Sequence, residues 1–273
     1  MVTAGLSALG PWLGVLILAP VLTLHSSLQH EIIHGHPTDR QEVNDLLGFP
    51  ALGLFVPYLR YRATHLAHHR DPILTDPHDD PESNFLDPAE WARLPGWYRR
   101  LLLANNTVLG RLVLGPALGL TRFYAQDLRA ALRGDRQIVL AYLHHLAGCA
   151  PVLAWLVWWQ APLIPYLVAC YLALSILRIR TFLEHRADPT PRARSVIVED
   201  HGPLAWLFLF NNYHAVHHAH PQLPWYRLRR AFEAQRALVL RRNGGYRYAS
   251  YGEVIGRYLL RRKDPVPHPL MRP

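Results

Sequence analysis

Apolar residues concentrate in three long stretches that polar sequence separates. Each stretch is long enough to cross a bilayer as an α-helix, and together they cover about residues 5–28, 138–159 and 162–183. A shorter apolar segment at about residues 46–59 holds two Pro and two Gly, which predicts a re-entrant or broken hairpin. The pattern therefore predicts an all-α, multi-pass integral membrane helical protein in which residues 1–273 form a single domain.

Local sequence also predicts a short helix in the polar region between the first and second long stretches. Asp87 is a suitable N-cap residue, and Pro88 follows it at the first helical position. We expect this region to form amphipathic helices at the membrane interface.

Charge follows the same division of the chain. Residues 1–30 and 137–177 contain no Asp, Glu, Lys or Arg. The net charge is +9, and residues 222–273 supply all of it, with twelve basic and three acidic side chains. A basic tail after membrane segments favours contact with the anionic cytoplasmic leaflet, so we expect no nucleic acid partner.

The distribution of Arg also predicts the orientation of the spans. Residues 60–136, 178–194 and 227–263 are Arg-rich, whereas the hairpin tip near residue 160 has no basic residue. The positive-inside rule places the Arg-rich regions, and with them the C-terminal tail, in the cytoplasm. We expect a bacterial inner-membrane location, with the histidine-rich motifs described next also on the cytoplasmic side.

Histidine is unusually frequent, with seventeen copies, and nine of these fall in four short motifs. The motifs read HEIIH from residue 30, HLAHH from residue 65, EH at residues 184–185 and HAVHH from residue 214. Residues three or four apart share one face of a helix, so each longer motif presents several imidazoles to one side. Nine imidazoles are too many for one metal ion and suit two. The nine predicted ligands are His30, His34, His65, His68, His69, His185, His214, His217 and His218.

The residues alone leave alternatives open. HEIIH matches the zinc-peptidase pattern, with Glu31 as general base and His30 and His34 as ligands, but this interpretation leaves the other motifs unused. A metal transporter is a further alternative, although it predicts ionisable ligands deep within the spans. A soluble di-iron carboxylate bundle is excluded, because the chain has a single Glu-x-x-His spacing where that class needs two.

In their flanking residues as well, HEIIHGHPT, THLAHHRD and NNYHAVHHAHP resemble the three histidine boxes of the membrane fatty acid desaturase/hydroxylase superfamily. RTFLEHR resembles the segment whose histidine completes that set, here His185. The resemblance covers about residues 20 to 225. One departure is that only 29 residues precede His30, whereas members of the superfamily usually carry more membrane-embedded sequence there.

The resemblance implies a cytoplasmic cap with two non-haem Fe ions, held by the nine histidines, and O2 as co-substrate. It implies a membrane lipid as substrate and a separate electron donor of ferredoxin, rubredoxin or cytochrome type with its reductase. We expect a fatty acyl (acyl-lipid) desaturase of lipid metabolism. Hydroxylation of a lipid, head group, alkane or carotenoid by the same centre stays an alternative, and the zinc peptidase remains a further one.

Five other side chains are candidates to contact the ligands from outside the set of nine histidines. Each could accept the ring N–H of a histidine or hold a bridging water. They are Glu31, Asp71, Glu184, Asn211 and Asn212.

Overall fold

The computed structural model describes residues 10–271, without the side chain of Asp71. Most of these residues are helical, which confirms the predicted all-α class. In chain order the helices are α1 Pro11–Ile33, α2 Gln41–Gly48, α3 Tyr58–His68, α4 Pro88–Arg93, α5 Gly96–Asn105, α6 Val108–Val113, α7 Gly115–Leu132, α8 Arg136–Trp158, α9 Leu163–Thr181, α10 Pro203–Leu207, α11 His214–Ala219, α12 Trp225–Arg242 and α13 Tyr251–Tyr258. Two-residue strands, β1 Ile197–Val198 and β2 Arg247–Tyr248, pair in parallel, and short 3-10 turns occupy Asp71–Ile73 and Pro191–Ala193.

Three helices, α1, α8 and α9, are long and apolar enough to cross a membrane. They correspond to the three predicted stretches, although α1 ends at Ile33 rather than near residue 28, and residues 5–9 of that prediction lie outside the described residues. Large apolar side chains on their outer faces are exposed, among them Leu16, Val157 and Trp158. Exposed apolar surface of this kind is expected where a helix faces lipid.

The chain divides into two compact units. Unit 1 consists of residues 1–63 and 116–177, and unit 2 consists of residues 64–115 and 178–273. The extent of a single domain over residues 1–273 therefore stays a prediction.

The core of unit 1 is formed by the three candidate spans. Leu18 and Leu22 of α1 pack in one apolar cluster with Leu156 of α8 and with Ala169 and Ala173 of α9. The cluster includes small residues on α9, which let helices approach closely within a membrane protein.

Residues 49–57 of unit 1, within the predicted broken hairpin, contain no helix or strand. Side chains from the longer helices bind their backbone carbonyls instead. The Tyr166 hydroxyl donates to the Leu52 carbonyl over 2.6 Å, His145 Nε2 lies 2.8 Å from the Leu54 carbonyl oxygen, and the Tyr124 hydroxyl donates to the Phe55 carbonyl. Irregular backbone at membrane depth requires such internal partners.

Unit 2 has a separate core made from residues of β1, α10, α11 and α12. Ile197, Phe210, Tyr213, Leu228 and Phe232 are buried together in it. The basic segment 222–273, predicted to be a polar tail, is therefore folded in its described part, since α12 contributes Leu228 and Phe232 to this core. Periodic apolar residues among the arginines of α12 form its inner face.

The predicted start of α4 is confirmed in unit 2. The Asp87 carboxylate accepts hydrogen bonds from the Ala89 and Glu90 amides, and Pro88 occupies the first turn. These contacts bind amides that have no partner within the helix.

Candidate metal centre

Two HxxHH motifs occupy short helical segments in unit 2. The first forms the last turn of α3 and reaches His69, one residue beyond the helix end, and the second forms most of α11. His185 follows the end of α9, where an isolated bridge pairs it with Ser195. Helical geometry makes the rings at i and i+4 of each motif neighbours: their centroids lie 4.6 Å apart for His65 and His69.

Four imidazoles of unit 2 converge through their Nε2 atoms, and we call them the four-histidine group: His68, His185, His214 and His218. The Nε2 of His185 lies 2.9 Å from that of His68 and 3.0 Å from that of His214. The Nε2 of His218 lies 3.1 Å from that of His214. Four nitrogen atoms from three separate chain segments therefore point at one position.

A second set in unit 2 has the same character, and we call it the three-histidine group: His65, His69 and His217. The Nε2 of His69 lies 3.0 Å from that of His65 and 3.2 Å from that of His217. Each HxxHH motif therefore contributes to both groups.

The opposite ring nitrogen, Nδ1, faces an oxygen atom in several of these residues. His68 Nδ1 lies 2.8 Å from an Asp80 carboxylate oxygen, and His65 Nδ1 lies 3.1 Å from a Glu82 carboxylate oxygen. His214 Nδ1 lies 3.1 Å from the Asn211 side-chain oxygen. A carboxylate or amide oxygen only accepts, so these rings carry a proton on Nδ1. In the neutral ring this leaves the lone pair on Nε2, on the side where the imidazoles converge.

This donor set fits a metal ion at each group. Nitrogen ligands about 2.1 Å from one ion, and roughly at right angles, lie about 3 Å from one another, as the Nε2 atoms do here. Where two Nε2 lone pairs face each other at this distance, a proton or a metal cation between them removes their repulsion. Neutral imidazoles suit iron, zinc, copper and nickel, so the donor set alone leaves the metal open.

Electrostatics at the four-histidine group also favour a cation. Burial lowers the pKa of His185, His214 and His218 well below its usual value, so these rings are neutral, as metal ligands must be. Burial also acts to lower the pKa of His68, but the carboxylates of Glu82 and Asp80 outweigh it and raise this pKa to about 9. The negative field that holds a proton on His68 equally stabilises a metal cation in its place.

Among the predicted supporting residues, Asn211 and Glu184 lie beside His214. The Glu184 carboxylate is 3.6 Å from His214 Nδ1 and forms a 2.7 Å ion pair with Arg180. Burial raises the pKa of Glu184, and the Arg180 guanidinium opposes this rise. Asn212 instead donates its side-chain amide to the carbonyls of Val198 and Asp200, so it holds the chain at β1. The side chain of Asp71 lies outside the described part of the chain.

In unit 1, the HEIIH motif forms the last turns of α1 and the residue after it. His30 and His34 are buried, with ring centroids 4.9 Å apart. The Glu31 carboxylate is also buried and lies 3.7 Å from His30 Nδ1. The motif therefore presents two neighbouring imidazoles, as its spacing predicts.

Sequence reasoning missed the two carboxylates that face the ligand rings of the first HxxHH motif. Asp80 also accepts hydrogen bonds from the Thr75 and Glu82 amides, which fixes its position behind His68. The signal in the sequence was the acidic run Asp79-Asp80-Pro81-Glu82, which begins ten residues after His69. The run reaches His65 and His68 only because a turn after α3 brings it back to them.

A sequence profile described as "Fatty acid desaturase" matches residues 7–250. The chain belongs to the fatty acid desaturase family. It is also 28% identical over 240 residues to a beta-carotene ketolase of Paracoccus sp. (strain PC1), covering 82% of this chain and 81% of the ketolase. An sn-1 acyl-lipid omega-3 desaturase (ferredoxin) of Synechocystis sp. is 26% identical over 263 residues, covering 86% of this chain and 72% of that desaturase.

Membership in the desaturase family and these two relatives support an oxidoreductase of the membrane desaturase/hydroxylase superfamily. Together they support a lipid or carotenoid oxidase. The candidate spans fit a membrane protein, and the converging histidines fit a metal site of this family.

Proposed function

We propose that this desaturase-family protein is an O2-dependent, non-haem di-iron oxidase that acts on a membrane lipid. The observation that carries the proposal is the pair of imidazole groups in unit 2, each converging through Nε2. Two groups of this kind in one unit provide for two ions.

The proposed ligand set contains all nine predicted histidines. The four-histidine group would hold one Fe ion. The three-histidine group would hold the other, with His30 and His34 of the HEIIH motif as further ligands. This assignment to the second ion rests on the histidine-box pattern of the family rather than on a contact between the units.

When bound, the two ions would supply the capacity to reduce O2 and to remove hydrogen from an unactivated C–H bond. Desaturation consumes O2, two electrons and two protons, takes two hydrogens from the substrate and releases two waters. Hydroxylation consumes the same reagents, inserts one oxygen atom and releases one water. Since the residues of this chain supply neither electron, a separate donor of ferredoxin, rubredoxin or cytochrome type is required.

The residues behind the ligands would orient the rings. Asp80, Glu82 and Asn211 accept the Nδ1 protons and so keep the Nε2 lone pairs directed at the ions. Burial of His68 and His214 at 2% exposure limits exchange of the ligands with water. The HxxHH motifs, the acid run and the EH segment would all lie on the cytoplasmic side.

For the substrate, we propose the acyl chain of a membrane lipid and its desaturation. The acyl-lipid desaturase named above supports this choice, since its similarity extends over 86% of the chain. The second candidate is oxygenation of a carotenoid, which two beta-carotene ketolases from Paracoccus strains favour, each 28% identical to this chain. Both reactions need the same centre, and placement of the C–H bond decides between them.

Metal analysis of detergent-purified protein tests the centre first. We expect about two irons per chain after expression in iron- and zinc-replete medium. Lipid mass spectrometry then identifies the product in two expressing strains. One strain is supplied with a ferredoxin, and the other is supplied with a ferredoxin and also makes β-carotene. Loss of two hydrogens from acyl chains supports desaturation, whereas added oxygen on the carotenoid supports the second candidate. About one zinc and no iron, also after anaerobic reconstitution with iron, contradicts the di-iron proposal.

The zinc-peptidase alternative is separated from an oxidase by Glu31→Gln. A peptidase would lose all activity, because Glu31 would be its general base. For a di-iron oxidase we expect only a partial loss, since Glu31 lies beside His30 and would affect the centre through the position of that ligand. Turnover of a lipid substrate and iron content, measured on the same preparation, check this prediction.

A further inference from the structure

A cleft of about 290 Å³ opens on the surface of unit 2. We call it the basic cleft, and it is lined by Arg186, Tyr246, Arg247, Arg257, Tyr258 and Lys263. None of these residues belongs to the histidine groups.

The charge of the basic cleft is positive. One carboxylate, Asp264, lines it and pairs with Lys263. Arg247 pairs with Glu199, and Arg186 lies 3.4 Å from the Asp188 carboxylate. Arg257 lies over the Tyr258 ring, 5.3 Å from its centroid.

Within the described residues, Arg257 forms no ion pair. Exposed Arg261 and Arg262 directly precede Lys263 and add to the positive field. An anionic group therefore fits the cleft by charge.

The floor of the cleft is attached to the segment that carries His185. Lys263 Nζ donates a hydrogen bond to the His185 carbonyl over 3.1 Å, and the Tyr246 hydroxyl donates to the Leu183 carbonyl over 2.5 Å. Arg186, the residue after His185, forms part of the wall. A group bound in the cleft is thus separated from the backbone of a proposed ligand by one side chain.

We propose that the basic cleft receives an acidic side chain of the electron donor, a small acidic iron–sulfur protein. This inference rests on the proposed function, which requires two electrons from outside the chain. Each reduced donor loses one electron to the enzyme, so two donors are oxidised in each turnover. Docking here places the donor beside the segment of His185.

The form of the cleft favours a protein over the membrane surface as the source of the anion. The Lys263 side chain is only 5% exposed, at the floor of a concave site. A flat leaflet binds side chains that project from a protein, and it does not reach a recessed ammonium group. A carboxylate that projects from a partner does reach it, and complementary charge speeds such an encounter.

Charge reversal at the rim tests the proposal. The full-length protein, in nanodiscs of zwitterionic lipid, is titrated with a recombinant plant-type [2Fe–2S] ferredoxin. We expect Arg257→Glu to raise the Kd for this ferredoxin about tenfold or more, and to reduce its dependence on ionic strength. The matched control is Arg230→Glu on α12, which makes the same charge change at an exposed site outside the cleft; we expect less than about a twofold effect.

A kinetic ratio provides the second measurement. The reference is a single turnover, in which the enzyme is reduced anaerobically with dithionite, freed of it and then given O2. The ratio of ferredoxin-driven turnover to this single-turnover yield should fall about tenfold in Arg257→Glu and stay near the wild-type value in Arg230→Glu. Equal Kd values for the wild type and both variants overturn the docking proposal. The proposal is also overturned if Arg257→Glu changes binding to anionic vesicles but leaves the Kd for ferredoxin unchanged.

The outcome also separates this inference from the function on which it rests. An enzyme that oxidises lipid in a single turnover after reduction with dithionite, yet binds ferredoxin equally well in all variants, keeps the proposed function and loses the docking site. Absence of iron and of lipid oxidation with either reductant contradicts the function itself. Measured melting temperatures and iron contents of both variants identify any loss of folding.

Discussion

The two histidine groups of unit 2 share their sequence motifs but differ in how complete they are. In the first HxxHH motif, the i and i+4 residues His65 and His69 belong to the three-histidine group, and the i+3 residue His68 belongs to the other. In the second motif the assignment is reversed: His214 and His218 belong to the four-histidine group, and His217 does not. Each motif therefore links both groups, so their positions depend on one another.

The groups also differ in their surroundings. The four-histidine group has all four of its imidazoles within unit 2, and behind His68 lies the Asp80 carboxylate, whose side chain is 1% exposed. The three-histidine group has three imidazoles in this unit instead of four. The Glu82 side chain behind His65 is 31% exposed. We expect the four-histidine group to bind its ion more tightly, because its charges interact in a drier environment.

Removing one ligand from each group gives the largest expected effect. His185→Ala and His217→Ala should each lower iron content from about two to about one per chain and reduce lipid turnover to background. The two variants should lose different ions, which Mössbauer spectra of ⁵⁷Fe-loaded protein resolve. His201→Ala is the control, since His201 is exposed and contacts Tyr213 outside both groups. Full iron content and turnover in His185→Ala would remove that residue from the ligand set.

The second-largest effect is expected at His34, a proposed further ligand of the second ion. His34→Ala should lose the same ion as His217→Ala, and the double variant should lose no further iron, because residues of one site act as a unit. Iron content and spectra of the three variants check this. If His34→Ala instead left the ion of His65, His69 and His217 in place, the HEIIH motif would have another role.

Much of the candidate site was predictable from the sequence because its histidines occur at short, local spacings. A helix turns a spacing of three or four residues into a shared face, and α3, α11 and the end of α1 all follow that rule. The three candidate spans were equally evident, since their apolar runs exceed the thickness of a bilayer.

The parts that were missed depend on tertiary structure. Asp80 and Glu82 reach His68 and His65 through a turn after α3, which no periodic pattern predicts. Asn211 or Asn212 was expected beside the histidines: Asn211 lies there, whereas the Asn212 amide binds the carbonyls around β1. In the basic segment, arginines obscured the apolar positions Leu228 and Phe232 that join the unit 2 core.

Substitution of the carboxylates behind the rings should have an intermediate effect that differs between the two groups. Asp80→Asn keeps an oxygen that accepts the His68 Nδ1 proton but removes the negative charge, so metal affinity of the four-histidine group should fall about 10- to 100-fold. Glu82→Gln should weaken the three-histidine group by about tenfold or less, because solvent already screens its more exposed carboxylate. It should also weaken the four-histidine group, since a Glu82 carboxylate oxygen lies 3.9 Å from His68 Nε2. Chelator competition on each variant measures both values. A larger loss in Glu82→Gln than in Asp80→Asn would reverse the proposed ranking of the groups.

Ser195 should give the smallest effect, because its contact is the longest of the Nδ1 hydrogen bonds at the four-histidine group. Its hydroxyl lies 3.3 Å from His185 Nδ1, against 2.8 Å for the carboxylate behind His68, and it carries no charge. Ser195→Ala should therefore lower the metal affinity of the four-histidine group only about two- to threefold in chelator competition, the magnitude of a long neutral hydrogen bond. The His185 backbone stays held by the Lys263 ammonium group and by the pairing with residue 195, which the substitution preserves. A loss as large as that of Asp80→Asn would mean that the hydroxyl, rather than the backbone, fixes the His185 ring.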